Sequence, residues 1–133
     1  MQGNHLFEYA VIRMVPHVER EEFLNIGIVL YCAPQKFLQA KFELDRERLK
    51  VLCEKLDFEE LGEHITSFER ICAGGNDAGP IGILSMPERF RWLTATRSTI
   101  LQTSKVHPGL CDDASEMLES LFGQLVKKVS GNQ

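Results

Sequence analysis

The chain has 133 residues, of which 44% are hydrophobic and 26% are charged. This length and composition predict a single globular domain over residues 1–133, with enough apolar surface to form a core without disulfide or metal support. The formal net charge of −4 argues against a general nucleic-acid-binding protein, because such domains are usually basic.

The first third of the chain predicts a three-stranded antiparallel meander. Phe7–Val15 is strand-like and ends at Pro16, and Phe37–Leu44 alternates apolar with polar residues. Between them, every even-numbered position from Leu24 to Cys32 is apolar. Side chains alternate across a strand, so these positions are expected to share one buried face. The segment Glu22–Cys32 is therefore expected to be the central strand.

Asn25 and Gly27 interrupt this central strand. Both residue types are depleted in strands, and glycine often marks a β-bulge or a close backbone approach. In one interpretation the segment contains a bulge, and Asn25 satisfies a loose backbone group. In the other, Asn25 presents its amide to a ligand, and Gly27 leaves space for that ligand.

The remainder of the chain predicts four helices and one further strand. Asp45, Asp57, Ser85 and Asp113 stand where N-caps are expected, and residues 99–103 form the additional strand. Pro108-Gly109 is interpreted as a break. The predicted fold class is α+β: an antiparallel sheet of about four strands, in the order β-β-β-α-α-α-β-α, with helices packed on one face.

One segment reverses the sign of the chain's charge. Between Arg89 and Cys111 there is no Asp or Glu but there are four cations, whereas the rest of the chain holds 11 basic and 19 acidic residues. Arginine suits bidentate binding of carboxylates and phosphates. In one interpretation these arginines pair with the acidic helices. In the other, Arg97 and Ser98 converge with Arg13 near Asn25 to bind an anion or an acidic partner segment.

Arg13 is unusual because it lies inside a predicted strand. An unpaired buried charge is costly, so Arg13 is expected either to pair with a carboxylate such as Glu22 or to line an accessible groove. The full set of candidate ligand-binding residues is Arg13, Glu22, Asn25, Arg91, Arg97 and Ser98.

No catalytic residue, metal site or cofactor is predicted. The chain lacks G-x-S-x-G, H-E-x-x-H, Walker and C-x-x-C motifs. Its four cysteines are interpreted as small core residues in a reducing compartment. The N-terminus lacks the features of a signal peptide, and no run approaches the roughly 20 apolar residues that span a bilayer. A cytoplasmic location without membrane contact is therefore expected.

Four separated stretches resemble an uncharacterised bacterial family, domain-of-unknown-function family 3037. They are Tyr9–Pro16, Glu22–Leu30, Arg89–Trp92 and Arg97–Thr99, and the resemblance extends from about Tyr9 to Val126. It implies a small, single-domain, cytoplasmic bacterial protein without an assigned activity. It also implies an accessory or regulatory role beside a kinase resembling the HipA toxin.

Three functions remain open at this point. The favoured hypothesis is a non-enzymatic binding module that uses the candidate residues to hold an anion or an acidic partner segment. The alternatives are an enzyme acting on a phosphorylated small molecule or nucleotide, and a structural protein that dimerises through an exposed apolar face. A deep polar pocket with a carboxylate beside Arg97 would favour the enzyme. A shallow basic groove would favour the binding module, and a flat apolar patch would favour the dimer.

Overall fold

A computed structural model describes residues 3–16, 22–95 and 99–127. Five strands form one antiparallel sheet: β1 (His5–Met14), β2 (Leu24–Cys32), β3 (Phe37–Phe42), β4 (Leu101–Thr103) and β5 (His107–Cys111). The helices are α1 (Arg46–Leu52), α2 (Phe58–Ala73), α3 (Gly79–Gly82), α4 (Met86–Leu93) and α5 (Ala114–Leu125). The predicted α+β class with an antiparallel sheet is confirmed.

The sheet order is β3-β2-β1-β4, and β5 also pairs with β1. The fifth strand was not predicted, because Pro108-Gly109 was interpreted as a break in the chain. Proline is compatible with an edge strand, where a missing N–H need not weaken the ladder. Between β4 and β5, Ser104 keeps the chain attached to β1. Its N–H donates to the Val11 carbonyl, and its Oγ accepts from the Val11 N–H, both at 2.9 Å.

The β1–β2 hairpin contains the predicted bulge. Ile12 faces Gly27, whereas the next residue, Arg13, faces Asn25, so Ile26 is an extra residue in β2. The expectation that Leu24 to Cys32 present their even positions on one face was therefore wrong. An extra residue reverses the alternation of side chains along a strand.

Helices cover both faces of the sheet, where the sequence predicted one covered face. On the first side, called here the α2 face, Ile12, Met14 and Ile26 pack with Leu61 and other residues of α2 and α4. On the second side, the α5 face, residues of β1 and β2 pack with α5 through the cluster Phe7, Val11, Ile28, Leu30, Leu118 and Phe122. The bulge gives β2 apolar side chains on both sides, so each face needs a helical cover.

The helix ends follow the predicted local signals. The side chains of Asp45, Asp57, Ser85 and Asp113 each accept a backbone N–H in the first turn of a helix. Gly74, with φ of +78°, ends α2. The short α3 was not predicted. Within the three described ranges, none of the helices has the length and apolarity needed to cross a bilayer.

Candidate functional site

The candidate site is built at the bulged end of the hairpin. Arg13 of β1 and Asn25 of β2 are direct cross-strand partners. Arg13 lies between Ile12 and Met14, which both point to the α2 face, so its own side chain points to the α5 face. The structure thus brings together two of the residues that the sequence selected.

The guanidinium of Arg13 is only partly satisfied. Its Cζ lies 4.2 Å from the centroid of the Phe23 ring, in a cation–π contact. Its Nε is buried and has no hydrogen-bond partner among the described residues. A cation–π contact contributes about 0.5–2 kcal/mol, but a buried donor without an acceptor costs about 1–3 kcal/mol.

Asn25 is oriented by α5. Its Nδ2 donates to the carbonyl of Leu125 at 3.2 Å, one of the last carbonyls of the helix, which lack intrahelical partners. Turning the amide around would place Oδ1 against that carbonyl oxygen, so the orientation is fixed. As a result Oδ1 is buried, and no residue in the described part of the chain donates a hydrogen bond to it. The site therefore holds an unused donor on Arg13 and an unused acceptor on the opposing strand.

Phe23 connects this pair to an open groove of about 780 Å³ between the start of β2 and the α1 region. The ring of Phe23 is 47% exposed, and Val51 of α1 is 89% exposed. Four charged residues share the groove lining, and they are Glu22, Arg48, Glu54 and Lys55. The groove therefore combines exposed apolar surface with charges of both signs, and it contains the predicted residue Glu22.

Sequence reasoning missed Phe23, Arg48 and Lys55. The two cations are on either side of the exposed Val51 in the groove lining. Phe23 carried a usable signal, because it stands two residues before Asn25 and such positions share a strand face.

Of the other predicted residues, the structure describes Arg91, which lies away from this place. Arg91 is exposed near the end of α4, a helix that packs on the α2 face, opposite to Arg13. Arg97 and Ser98 lie outside the described residues. Their predicted convergence with Arg13 stays a prediction.

Arg89, the first arginine of the basic segment, has a structural role. Its side chain is 8% exposed. Its Nη1 donates to the carbonyls of Ile71 and Cys72 at 2.8 and 2.7 Å, and its Nε donates to the Leu84 carbonyl at 3.1 Å. The structural interpretation of the basic segment expected pairing with acidic side chains, but these hydrogen bonds go to backbone carbonyls.

A second cavity has a volume of about 340 Å³. Its lining includes Ala95 and Thr99, together with His64 and Trp92. Among its described lining residues there is no Asp or Glu.

Fold and site together define a small α+β protein with an open, partly apolar groove beside a bulged hairpin. The chain belongs to the family described as "Protein of unknown function (DUF3037)", whose model matches residues 9–126. The match confirms the resemblance found in the sequence. No curated protein matches the chain, and no solved structure does.

Proposed function

We propose that the protein is a non-enzymatic binding module that holds an acidic, partly apolar segment of a partner protein in the groove at Phe23. The observation that carries the proposal is the Arg13 guanidinium, which lies on Phe23 and whose buried Nε has no partner within residues 3–16, 22–95 and 99–127. Native proteins seldom leave a buried donor unsatisfied, and such a group calls for an explanation. A ligand that supplies the missing acceptor gives one.

The chemistry of the pair favours a polypeptide over a simple anion. The unused groups are a donor, Arg13 Nε, and an acceptor, Asn25 Oδ1. A residue in an extended segment directs its own N–H and C=O to the same side of the backbone and so complements both. A fully ionised phosphate offers acceptors alone and would leave Asn25 unsatisfied.

The surroundings of the pair favour a segment with both carboxylate and apolar side chains. Arg48 and Lys55 provide cations in the groove lining, in a chain whose net charge is −4. Phe23 and Val51 expose apolar surface of the kind that marks interaction sites. Glu22 and Glu54 in the same lining would fix the direction of the bound segment through like-charge repulsion.

The enzyme alternative has less support. It needs a carboxylate or similar group aligned with a phosphate site, and the cavity lined by Ala95 and Thr99 has no carboxylate in its described lining. The HipA-like kinase that the resemblance implies remains a proposed source of the partner segment.

A homodimer is a second candidate function, favoured by a different observation. Leu6 and Leu110 are cross-strand partners on β1 and β5, and they are 56% and 46% exposed. An exposed apolar pair at a sheet edge is suited to contact with a second copy. Light scattering on the wild type and on Leu6→Lys tests this: a dimer that the substitution dissociates supports it, and a monomeric wild type removes it.

The binding module is tested by selecting peptides from a random displayed library on the immobilised full chain. Dissociation constants of the selected peptides are then measured by fluorescence anisotropy. Arg13→Met and Phe23→Ala are expected to weaken binding at least tenfold, whereas Arg91→Met serves as a matched control on the opposite side of the sheet. Selected peptides without acidic residues, or equal affinity for Arg13→Met and wild type, would contradict the proposal. Thermal melts confirm that each variant is folded.

A further inference from the structure

The outer edge of β3 has no neighbour among the described strands. β3 is the terminal strand in the sheet order, and its pairing partner is β2. An edge strand presents a row of free N–H and C=O groups that can accept another strand.

The register identifies which groups point outward. The Glu43 N–H donates to the Ile26 carbonyl at 2.8 Å, so the odd-numbered residues of β3 direct their backbone groups toward β2. Because hydrogen-bonding direction alternates along an antiparallel strand, Leu38, Ala40 and Phe42 direct theirs away from the sheet. Within residues 3–16, 22–95 and 99–127, no backbone group forms a hydrogen bond with these outward N–H and C=O groups.

This edge lacks the usual protection against strand pairing. Natural edges are often guarded by proline, a bulge or a charged side chain. β3 contains no proline, and the bulge lies in the β1–β2 ladder. Its one charge, Lys41, is engaged with Glu119 of α5 and lies 5.0 Å from the Phe122 ring. Lys41 therefore points to the α5 face and does not block the edge.

A groove of about 430 Å³ runs beside the same edge. One wall is the edge itself, residues 36–40, and the other is the end of α2 at Glu69, Cys72 and Ala73, with Met86 of α4 nearby. Ala40 and Ala73 are small and leave room for an apolar side chain. Glu69 is exposed and provides a negative charge at the groove wall.

We propose that the β3 edge and the α2 wall bind an extended segment of a partner protein by strand addition. Main-chain hydrogen bonds to Leu38, Ala40 and Phe42 supply affinity, and alternate side chains of the segment enter the groove. The segment carries apolar residues at alternate positions and one Lys or Arg opposite Glu69. This surface is separate from the Phe23 groove and does not depend on the function proposed above.

A partner segment fits this edge better than a second copy of the chain. β3 has six residues, which corresponds to about 20 Å of strand. Two copies that paired through their β3 edges would bury only the area of this short strand. That area is small compared with the roughly 1,200 Å² that stable association of folded proteins buries. A single extended segment can use the edge and the helical wall together.

The test uses decapeptides from a random displayed library, selected on the immobilised full chain and labelled with fluorescein. Ala40→Pro removes one outward N–H without removing a bond to β2, and Ala73→Leu narrows the groove at an exposed helix position. Both are expected to weaken binding at least tenfold. Thr66→Leu, an exposed position of α2 outside the groove lining, is expected to leave affinity within twofold.

Hydrogen exchange followed by NMR provides a second readout that does not depend on a variant. The amides of Leu38, Ala40 and Phe42 are expected to exchange at least tenfold more slowly when peptide is bound. Unchanged exchange, equal affinity for Ala73→Leu and wild type, or failure to select any peptide overturns the proposal. Protection of these amides that grows with protein concentration, together with a dimeric mass, overturns it in favour of self-association.

Discussion

Arg89 and Arg13 form an instructive contrast between two regions of the molecule. Both are drawn into the protein, but Arg89 donates three hydrogen bonds to carbonyls. The Nε of Arg13, in contrast, is buried and finds no partner in the parts of the chain that the structure describes. Burial of a charged side chain therefore does not by itself mark a binding site. The useful distinction is whether the buried donors are satisfied within the fold.

The difference follows from where each arginine lies. Arg89 reaches the C-terminal end of α2, where the last carbonyls lack intrahelical partners and the helix dipole favours a cation. Arg13 lies within a strand, where neighbouring carbonyls are used by the ladder. Its surroundings offer a ring and an amide, and the amide is turned toward α5.

The largest expected effect is loss of stability when Arg89 is replaced by Met. The substitution leaves the carbonyls of Ile71, Cys72 and Leu84 without their donor, and we expect the free energy of unfolding to fall by about 3 kcal/mol. Urea denaturation measures it. Arg91→Met, two residues along the same helix but exposed, is expected to change stability by less than about 0.5 kcal/mol. Equal losses for both variants would remove the structural role of Arg89.

Gly27→Ala should disrupt the bulged end of the hairpin. A Cβ at Gly27 would lie 2.7 Å from the Lys41 carbonyl oxygen and 2.9 Å from Cδ1 of Phe42. A carbonyl held in the ladder cannot move easily, so we expect a loss of about 2 kcal/mol.

The matched control is Gly62→Ala in α2, where an added Cβ has no neighbour within 4 Å. There alanine should stabilise the helix by about 0.5–1 kcal/mol. Chemical denaturation of the two variants in parallel checks both signs. A Gly27→Ala protein as stable as wild type would show that the close approach to β3 is not maintained in solution.

Arg13→Met is expected to leave stability within about 1 kcal/mol of wild type. Met keeps apolar contact with Phe23 and removes a buried donor that has no acceptor, so the lost cation–π contact is offset. Thermal and urea unfolding give the measurement. A loss as large as that of Arg89→Met would place Arg13 among the structural arginines and end its candidacy as a ligand-binding group.

The smallest effect concerns Cys72, whose carbonyl accepts from Arg89. Burial raises the pKa of its thiol from 9.0 to about 12, although the charge of Arg89 lowers it. The unfolded chain therefore loses this proton at lower pH than the folded chain. Stability attributable to Cys72 is present below about pH 9 and decreases as the pH rises toward 12.

The contribution of Cys72 is measured by comparing the pH dependence of unfolding for wild type and Cys72→Ala. The wild type should lose stability more steeply above pH 9. If the curves of stability against pH are parallel for the two proteins, the thiol ionises equally in the folded and unfolded states.

The elements whose causes are local follow directly from the order of the amino acids. Three such features could be recognised without coordinates: the capping side chains, the glycine that ends α2, and the disturbance of the strand at Asn25 and Gly27. Each acts within a few residues of chain.

The face that each strand residue occupies depends on the tertiary structure, since one bulged residue reverses the alternation. The tertiary structure also decided that Pro108-Gly109 belongs to β5, where the edge of β1 supplies the pairing. The partners of Arg89 and the groove at Phe23 likewise needed the fold. Every residue carries a carbonyl, so no sequence pattern can specify which ones meet a distant guanidinium or which side chains close around a groove.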